Sequence, residues 1–277
     1  MWVAAAMVFG AIVVATAIFL TQGRPGTATA WARLGTQDVH SLSFVDDDLD
    51  HLLFGHHGGL SETRDGGRTW QPLPTTADAM AMQPAADGSI VIAGHEVFTA
   101  SSDGGQTWQP IAADLPSLDI HGFARDPADP ARMWAYLATG GLWESTDAGG
   151  QWTRVRDDNV LFPLAIDGDG STRLLGVDVN GLVASDDGGR SWTPLGTPPT
   201  YPMTALAGTT DGTVLYAGSP DGLYRSDDGG RTWTKTSFSG SPFAIATSSD
   251  ASTVAVVART TEFFRSSDRG ETWPGPN

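Results

Sequence analysis

The sequence has no cysteine, few basic side chains and only four tyrosines. The lack of cysteine excludes disulfide bonds, thiolate metal ligands and cysteine nucleophiles. Lysine and arginine together number 16 against 32 aspartates and glutamates, which gives a formal net charge of −16 at pH 7. Because such a surface repels phosphate backbones, we expect no binding to nucleic acid. Beyond residue 30, no stretch sustains the periodicity of an amphipathic helix, which argues against a helical fold.

One eight-residue motif, S-x-D-x-G-x-T-W, occurs six times. Thr63 replaces the serine in one copy, and Gln151 replaces the threonine in another. The motif aspartates are Asp65, Asp103, Asp147, Asp187, Asp228 and Asp268, and the motif tryptophans are Trp70, Trp108, Trp152, Trp192, Trp233 and Trp273. Successive aspartates are 38, 44, 40, 41 and 40 residues apart. A period of about 41 residues is typical of propellers with four strands in each blade.

Each period also contains short β-rich segments separated by turn residues. One example is "TVLYAG" (213–218), followed by "GLYRS" (222–226) and then by the motif. Glycine, aspartate, serine and proline bound such segments about every eight to twelve residues, as in all-β folds. The sequence therefore predicts an all-β fold, a β-propeller.

The motif and its spacing resemble the Asp-box (BNR) repeats of sialidases, sortilin-type receptors and photosystem II stability factors. The resemblance covers residues 31–277 and is nearest to small exported bacterial Asp-box proteins labelled glycosyl hydrolases. It implies that each box is the turn between the third and fourth strands of a blade. The chemistry agrees, because glycine adopts positive φ and aspartate accepts hydrogen bonds from the amides of its own turn. Six equivalent aspartates therefore indicate a structural frame and not one active site.

The number of blades follows from the length of the repeat region. Residues 31–277 correspond to six periods, one for each box. The last box is followed by Pro274 and Pro276, which disfavour a fourth strand there. The segment "WARLGT" (31–36) resembles the segments that follow the other boxes, although no box precedes it. We therefore expect residues 31–36 to supply the outer strand of the sixth blade and to close the ring.

Residues 1–20 contain no charged side chain, and as a helix they would span about 30 Å, the thickness of a bilayer core. We interpret them as one N-terminal transmembrane helix, with residues 21–30 as a flexible tether. The alternative is a signal peptide that is cleaved near Ala30, which would release a secreted protein. Arg24 and Arg33 follow the segment and by charge would favour a cytoplasmic propeller. The resemblance implies export, so we expect the propeller outside the cytoplasm.

Five of the six histidines fall where the repeats place the mouth of the central channel. The candidate ligands at first-strand starts are His40, Asp78, His121 and Met203, and those at second-strand ends are His56, His57, His95 and Asp178. Imidazoles that converge with a carboxylate bind transition metals, so we expect copper or zinc as a candidate cofactor. The alternative is that these polar side chains only line a water-filled channel.

An enzymatic function has weaker support from the residues. The resemblance would imply a sialidase with an R-I-P motif in the first blade, but this motif is absent from residues 31–277. Several arginines lie inside the boxes, on the turn face, so they are not placed to bind a substrate carboxylate. A glycoside hydrolase needs only two carboxyl groups, and Glu96 with Asp178 is the candidate pair at the predicted mouth.

We therefore predict a membrane-tethered, extracytoplasmic binding or assembly module, which we expect to be a monomer. Its partner would be a protein or a glycan, and its candidate metal site would be the histidine-rich mouth. The alternative function is a glycoside hydrolase that acts at the central channel.

Overall fold

The computed structural model describes residues 28–276, except 46–47, 86, 158, 169, 180 and 197–201. The predicted anchor, residues 1–20, and most of the predicted tether lie outside the described residues. Regular structure in the described part of the chain consists of β-strands. No described segment forms a helix with the length and apolar character needed to cross a membrane.

The described residues form 24 strands in six four-stranded antiparallel sheets, which are the blades of a propeller. The first strand in the chain is β1 (Ala32–Arg33). Blade 1 consists of β2 (Ser41–Val45), β3 (Asp48–His56), β4 (Gly59–Thr63) and β5 (Gln71–Pro72). Blade 2 consists of β6 (Ala81–Pro84), β7 (Ile90–Gly94), β8 (Val97–Ser101) and β9 (Gln109–Pro110). Blade 3 consists of β10 (Ile120–Arg125), β11 (Met133–Leu137), β12 (Gly141–Ser145) and β13 (Thr153–Arg156).

The second half of the chain repeats this arrangement. Blade 4 consists of β14 (Leu161–Gly168), β15 (Ser171–Asp178), β16 (Gly181–Ser185) and β17 (Thr193–Pro194). Blade 5 consists of β18 (Ala205–Gly208), β19 (Leu215–Ser219), β20 (Gly222–Ser226) and β21 (Thr234–Lys235). Blade 6 consists of β22 (Pro242–Thr247), β23 (Val254–Ala258) and β24 (Glu262–Ser266), with β1 as its outer strand. The six-bladed all-β propeller predicted from the repeats is confirmed.

The core of the molecule is divided among the interfaces between blades. Strands β7, β11, β19 and β23 are buried at every residue, because the blades on either side cover both faces of each sheet. Six apolar clusters each combine residues of two neighbouring blades. Phe263 of blade 6, for example, is fully buried in one cluster with Phe54 of blade 1. Each blade is therefore stabilised mainly by its neighbours.

The box around Asp228 shows how the repeated motif forms its turn. Oδ1 of Asp228 accepts hydrogen bonds from the backbone amides of Arg231 and Thr232 at 3.0 and 2.8 Å. Oδ2 accepts one from the Thr232 hydroxyl at 2.7 Å. Gly229 and Gly230 have φ angles of 69° and 88°, which favour glycine. The carboxylate is thus used within its own turn, at the end of the third strand and away from the channel.

The ring closes through the N-terminal residues of the described chain. In β1, Ala32 pairs with Phe263 and Arg33 pairs with Glu262 of β24. The Trp31 indole Nε1 donates to the carbonyl oxygen of Pro274 at 2.8 Å. The guanidinium carbons of Arg68 and Arg265 lie 5.1 and 5.6 Å from the centre of the Trp31 ring. Residues from both ends of the described chain therefore complete blade 6.

Candidate functional site

The segment that leads into each first strand reaches the same rim of the channel as the turn between the second and third strands of that blade. The backbone holds these segments close together in blades 1 and 2. A Cβ atom at Gly94 would lie 2.1 Å from the carbonyl oxygen of Asp78, and one at Gly55 would lie 2.7 Å from that of Ala79. Glycine at the end of the second strand therefore allows an entering segment to pass against it, that of the same blade at Gly94 and that of the next blade at Gly55.

Seven side chains form a continuous arc along the rim of blades 1 to 3, which we call the His–Asp row. The row consists of Asp38, His40, His57, Asp78, His95, Asp119 and His121. Its aspartates precede the first strands of blades 1, 2 and 3, while His57 and His95 lie in the turns after the second strands of blades 1 and 2. Imidazoles and carboxylates alternate along most of the arc.

The first end of the row lies in blade 1. His57 Nδ1 is hydrogen-bonded to Asp38 Oδ2, and the His57 backbone amide donates to Asp38 Oδ1 at 3.0 Å. His40 Nε2 lies 2.8 Å from His57 Nδ1. Burial raises the pKa of Asp38, but the hydrogen bonds from His57 outweigh this effect and hold the pKa below its ordinary value. Asp38 is therefore a stable anionic partner for the two imidazoles.

Asp78 occupies the middle of the row and is only 8 % exposed. Its Oδ2 lies 2.5 Å from His95 Nδ1 and 3.7 Å from His57 Nε2. Its Oδ1 is buried without a hydrogen-bond partner, and His40 Nε2 lies 3.6 Å from it. A buried carboxylate oxygen without a partner is costly. A cation placed among these three imidazoles would remove that cost.

The other end of the row lies in blade 3. His95 Nε2 is 3.6 Å from Asp119 Oδ1, and His121 Nε2 is 3.0 Å from the same oxygen. The backbones of His95 and Asp119 form an isolated antiparallel bridge, which fixes blade 2 against blade 3 at this point. The rings of His95 and His121 meet edge to face, with their centroids 4.9 Å apart. This end therefore repeats the chemistry of the first end with a different carboxylate.

The surroundings of two members of the row favour a neutral His40 beside an ionised Asp38. Burial lowers the pKa of His40, an effect that Asp38 and Asp78 partly oppose. A metal ligand must be the unprotonated form of imidazole. Three overlapping groups in the row each bring a nitrogen or oxygen from three side chains within 4.8 Å of one another. Tetrahedral zinc ligands at about 2.1 Å from the ion would lie about 3.4 Å apart, so small side-chain movements suffice for coordination.

The other residues predicted at the mouth have different surroundings. His56 stacks on Phe54, and its Nδ1 accepts a hydrogen bond from the Gly58 amide at 3.0 Å, outside the three groups. Met203 is buried in the apolar cluster between blades 4 and 5. Glu96 is exposed in the turn between β7 and β8, with a φ angle of 56°. Asp178 ends β15 in blade 4.

Two members of the row, Asp38 and Asp119, are missing from the candidates that the sequence suggested. The repeat itself contains a signal for them. Asp38, Asp78 and Asp119 are 40 and 41 residues apart, which is the period of the boxes. A search for chemically similar side chains at that spacing would have identified all three carboxylates as equivalent positions of successive blades.

The channel behind the rim contains a cavity of about 750 Å³. First strands of all six blades line it, with apolar side chains such as Leu42, Leu164 and Ile245. Arg125 and Asp126 lie where it reaches the far ends of these strands. The row, Glu96 and Asp178 are not among its lining residues in the described part of the chain. The His–Asp row therefore belongs to the outer rim and not to the wall of the cavity.

The fold and its six box turns define the class of this protein as an Asp-box β-propeller. Residues 224–235 match the BNR/Asp-box repeat model. A comparison with curated protein sequences gave no match.

Solved structures of similar fold include two of YCF48. The chain is 17% identical to YCF48 from Cyanidioschyzon merolae, with a TM-score of 0.54. The alignment covers 89% of this chain and 88% of that one. It is also 17% identical in sequence to the YCF48 whose structure was solved with bound D1 peptide, with a TM-score of 0.59. That alignment covers 84% of this chain and 95% of the other. At this level of identity the similarity shows the fold alone.

A glycoside hydrolase is also similar in fold. The GH74 xyloglucanase from Xanthomonas campestris is 20% identical to this chain, with a TM-score of 0.58. The alignment covers 89% of this chain but only 46% of the xyloglucanase. The chain thus spans less than half of that enzyme, and the similarity again concerns the fold.

Proposed function

We propose that this protein is a binding module, tethered outside the cytoplasm by residues 1–20, that binds a divalent transition-metal ion, copper or zinc, in the His–Asp row. The observation that carries the proposal is the surroundings of Asp78. A buried carboxylate with an unpartnered oxygen is surrounded by nitrogens of His40, His57 and His95. Imidazoles with a carboxylate are ligands that suit zinc and copper, and ligand atoms of His57, Asp78 and His95 lie within 4.8 Å of one another.

The charge of the whole chain supports cation binding. The formal net charge is −16, and an acidic surface raises the local concentration of cations. The chain also has no cysteine, so no thiolate of the protein competes with the row for a soft metal ion.

The position of the row supports a role in binding a protein partner. The side chains of His57 and His95 are 54% and 41% exposed, so a ligand group from another protein can reach an ion held between them. A similar propeller, YCF48, has been solved with a bound D1 peptide, which is a precedent for peptide binding on this fold. We propose a segment of another protein as the partner. Capture of a glycan instead of a protein by the immobilised propeller would favour the alternative.

Metal content and affinity test the proposal. The full-length protein, purified in detergent without a polyhistidine tag, is made metal-free and titrated with Zn²⁺ and, separately, Cu²⁺. We expect stoichiometric binding, and we expect a His57→Gln, His95→Gln double variant to bind at least about a hundredfold more weakly, because each ion loses imidazole ligands.

His51→Gln is the matched control, because His51 pairs with Glu62 at 2.8 Å outside the row. Its affinity should equal that of the wild type. Absence of metal binding in the wild type, or equal affinity in the double variant, would contradict the proposed function.

A further inference from the structure

We infer that the His–Asp row has two alternative loading states, one ion at its centre or two ions at its ends, and that it transfers ions between them. This inference rests on the proposed function and extends it from binding a divalent transition metal to handing that metal on. The observation behind it is the overlap of three ligand groups. Two imidazoles in the row each belong to two groups.

The three groups are defined as follows. The first outer triad is Asp38, His40 and His57; the central triad is His57, Asp78 and His95; the second outer triad is His95, Asp119 and His121. The outer triads share no residue, so both can be occupied at once. The central triad shares His57 with one outer triad and His95 with the other. An ion at the centre therefore competes with an ion at either end.

The geometry of the shared rings explains the competition. His57 directs Nδ1 toward Asp38 and Nε2 toward Asp78. His95 directs Nδ1 toward Asp78 and Nε2 toward Asp119. A neutral imidazole has one unprotonated nitrogen and so ligates one ion at a time. Each shared ring can bind an ion at the centre through one nitrogen or an ion at its own end through the other nitrogen. In its neutral form it cannot bind both ions at once.

The centre is the better site for the first ion. Asp78 is the most buried carboxylate of the row and has the unpartnered oxygen. When an ion occupies the central triad, Asp38 and Asp119 face the outward nitrogens of the two shared rings. Carboxylates in that position orient imidazole ligands and strengthen their binding to a metal. The outer aspartates thus act as positioning residues for a central ion and as ligands for outer ions.

A second ion changes this arrangement. Once two ions are present, the two outer triads together offer four imidazoles and two carboxylates, whereas the centre offers one site. The central ion then moves to one end, from one nitrogen of a shared ring to the other nitrogen. The ring proton moves in the opposite direction, to the nitrogen that faces Asp78, so no charge is gained or lost by the ring. The ion therefore leaves one nitrogen of the shared ring and binds again at the other nitrogen once the proton has moved, so the same ring supplies a ligand at both positions along the rim.

Titration of the metal-free, full-length protein with Zn²⁺ by calorimetry tests the inference. We expect the wild type to bind two ions, the second at least about tenfold more weakly because it must displace the first. Asp78→Asn should abolish the tight first step and still allow two ions to bind. The Asp38→Asn, Asp119→Asn double variant should bind one ion only, because each outer triad loses its carboxylate.

His56→Gln is the matched control, since His56 neighbours the row but belongs to none of the triads. It should retain both steps. A wild type that saturates at one ion, or a double variant that still binds two, would overturn the two-state row and leave the proposed metal site intact. A wild type that binds no ion would instead refute the proposed function itself.

Discussion

Five of the six box aspartates bind a side-chain hydroxyl through Oδ2, and Asp147 differs from them. Its Oδ1 accepts hydrogen bonds from Ser145 Oγ and the Gln151 amide. Gln151 stands where the other boxes have threonine or serine, so the hydroxyl donor is missing. The box of blade 3 is thus an incomplete copy of a turn that is complete elsewhere in the chain.

This difference gives a prediction at the scale of one residue. Gln151→Thr should supply the missing donor to Asp147 and raise the melting temperature by roughly 1–3 °C. Thermal unfolding followed by circular dichroism measures the change. The same substitution made together with Asp147→Ala should give no gain, and a gain in that background would show that the hydrogen bond is not the cause.

At the same scale, the sequence predicts the histidines and one aspartate of the row but not its other two aspartates. Conspicuous imidazoles draw attention to His40, His57, His95 and His121, whereas Asp38 and Asp119 are two among many aspartates. Composition alone does not show which carboxylates face the rim. That depends on the segments before the first strands, which the fold brings beside the turns that follow the second strands. The metal ligation itself stays a prediction.

Strand β1 is the element on which the closed ring depends, and it is only two residues long. Its backbone pairing is extended by amide hydrogen bonds from Trp31 to Phe263 and from Leu34 to Thr261, at 2.8 and 2.9 Å. The Trp31 side chain adds apolar contact with the cluster between blades 6 and 1 and stacks near two arginines. Trp31 therefore adds both apolar packing and cation–π contacts to the closing strand, beside Ala32 and Leu34, which pack on the same cluster.

We predict that Trp31→Ala lowers the free energy of unfolding by about 2 kcal/mol, through lost apolar burial and lost cation–π contacts. Arg33→Ala is the control, because its side chain is 70% exposed and exposed ion pairs contribute about 1 kcal/mol or less. Urea unfolding curves of the two variants measure the difference. Equal losses would show that the tryptophan does not secure the closing strand.

At the level of elements, the boxes were sufficient to predict where the third strands end and how many blades form. The lengths of the strands were harder to predict. β14 and β15 of blade 4 have eight residues each, whereas the first two strands of blade 5 have four and five. Strand length depends on pairing with a partner strand, which a local pattern of turn residues does not contain. Met203 lies before β18 and packs into the apolar cluster between blades 4 and 5. The local sequence did not show that this side chain faces a neighbouring blade.

The molecule as a whole should be sensitive to acid because of its repeated carboxylates. Hydrogen bonds from the turn lower the pKa of Asp103, Asp187 and Asp228 to about 2. A carboxyl whose folded pKa lies below its unfolded value stabilises the fold above the unfolded pKa, near 3.8. That stabilisation is lost as the pH falls through the folded pKa.

We therefore predict that the free energy of unfolding decreases steadily between about pH 4 and pH 2. Urea unfolding at a series of pH values measures this decrease. A variant with Asp187→Asn and Asp228→Asn should show a shallower dependence on pH over that range. A free energy of unfolding that is the same at pH 2 as at pH 5 would mean that the boxes do not control acid stability.

The hydrogen bond from the Thr29 amide to the carbonyl oxygen of Trp273, 3.0 Å long, brings the two ends of the described chain together beside blade 6. With its ends adjacent, the ring can be joined there and opened at another loop without changing which blades are neighbours. The point at which the proposed membrane tether attaches is then independent of the position of the His–Asp row. A circular permutant would carry the proposed tether beside another blade and so turn the His–Asp row toward or away from the bilayer.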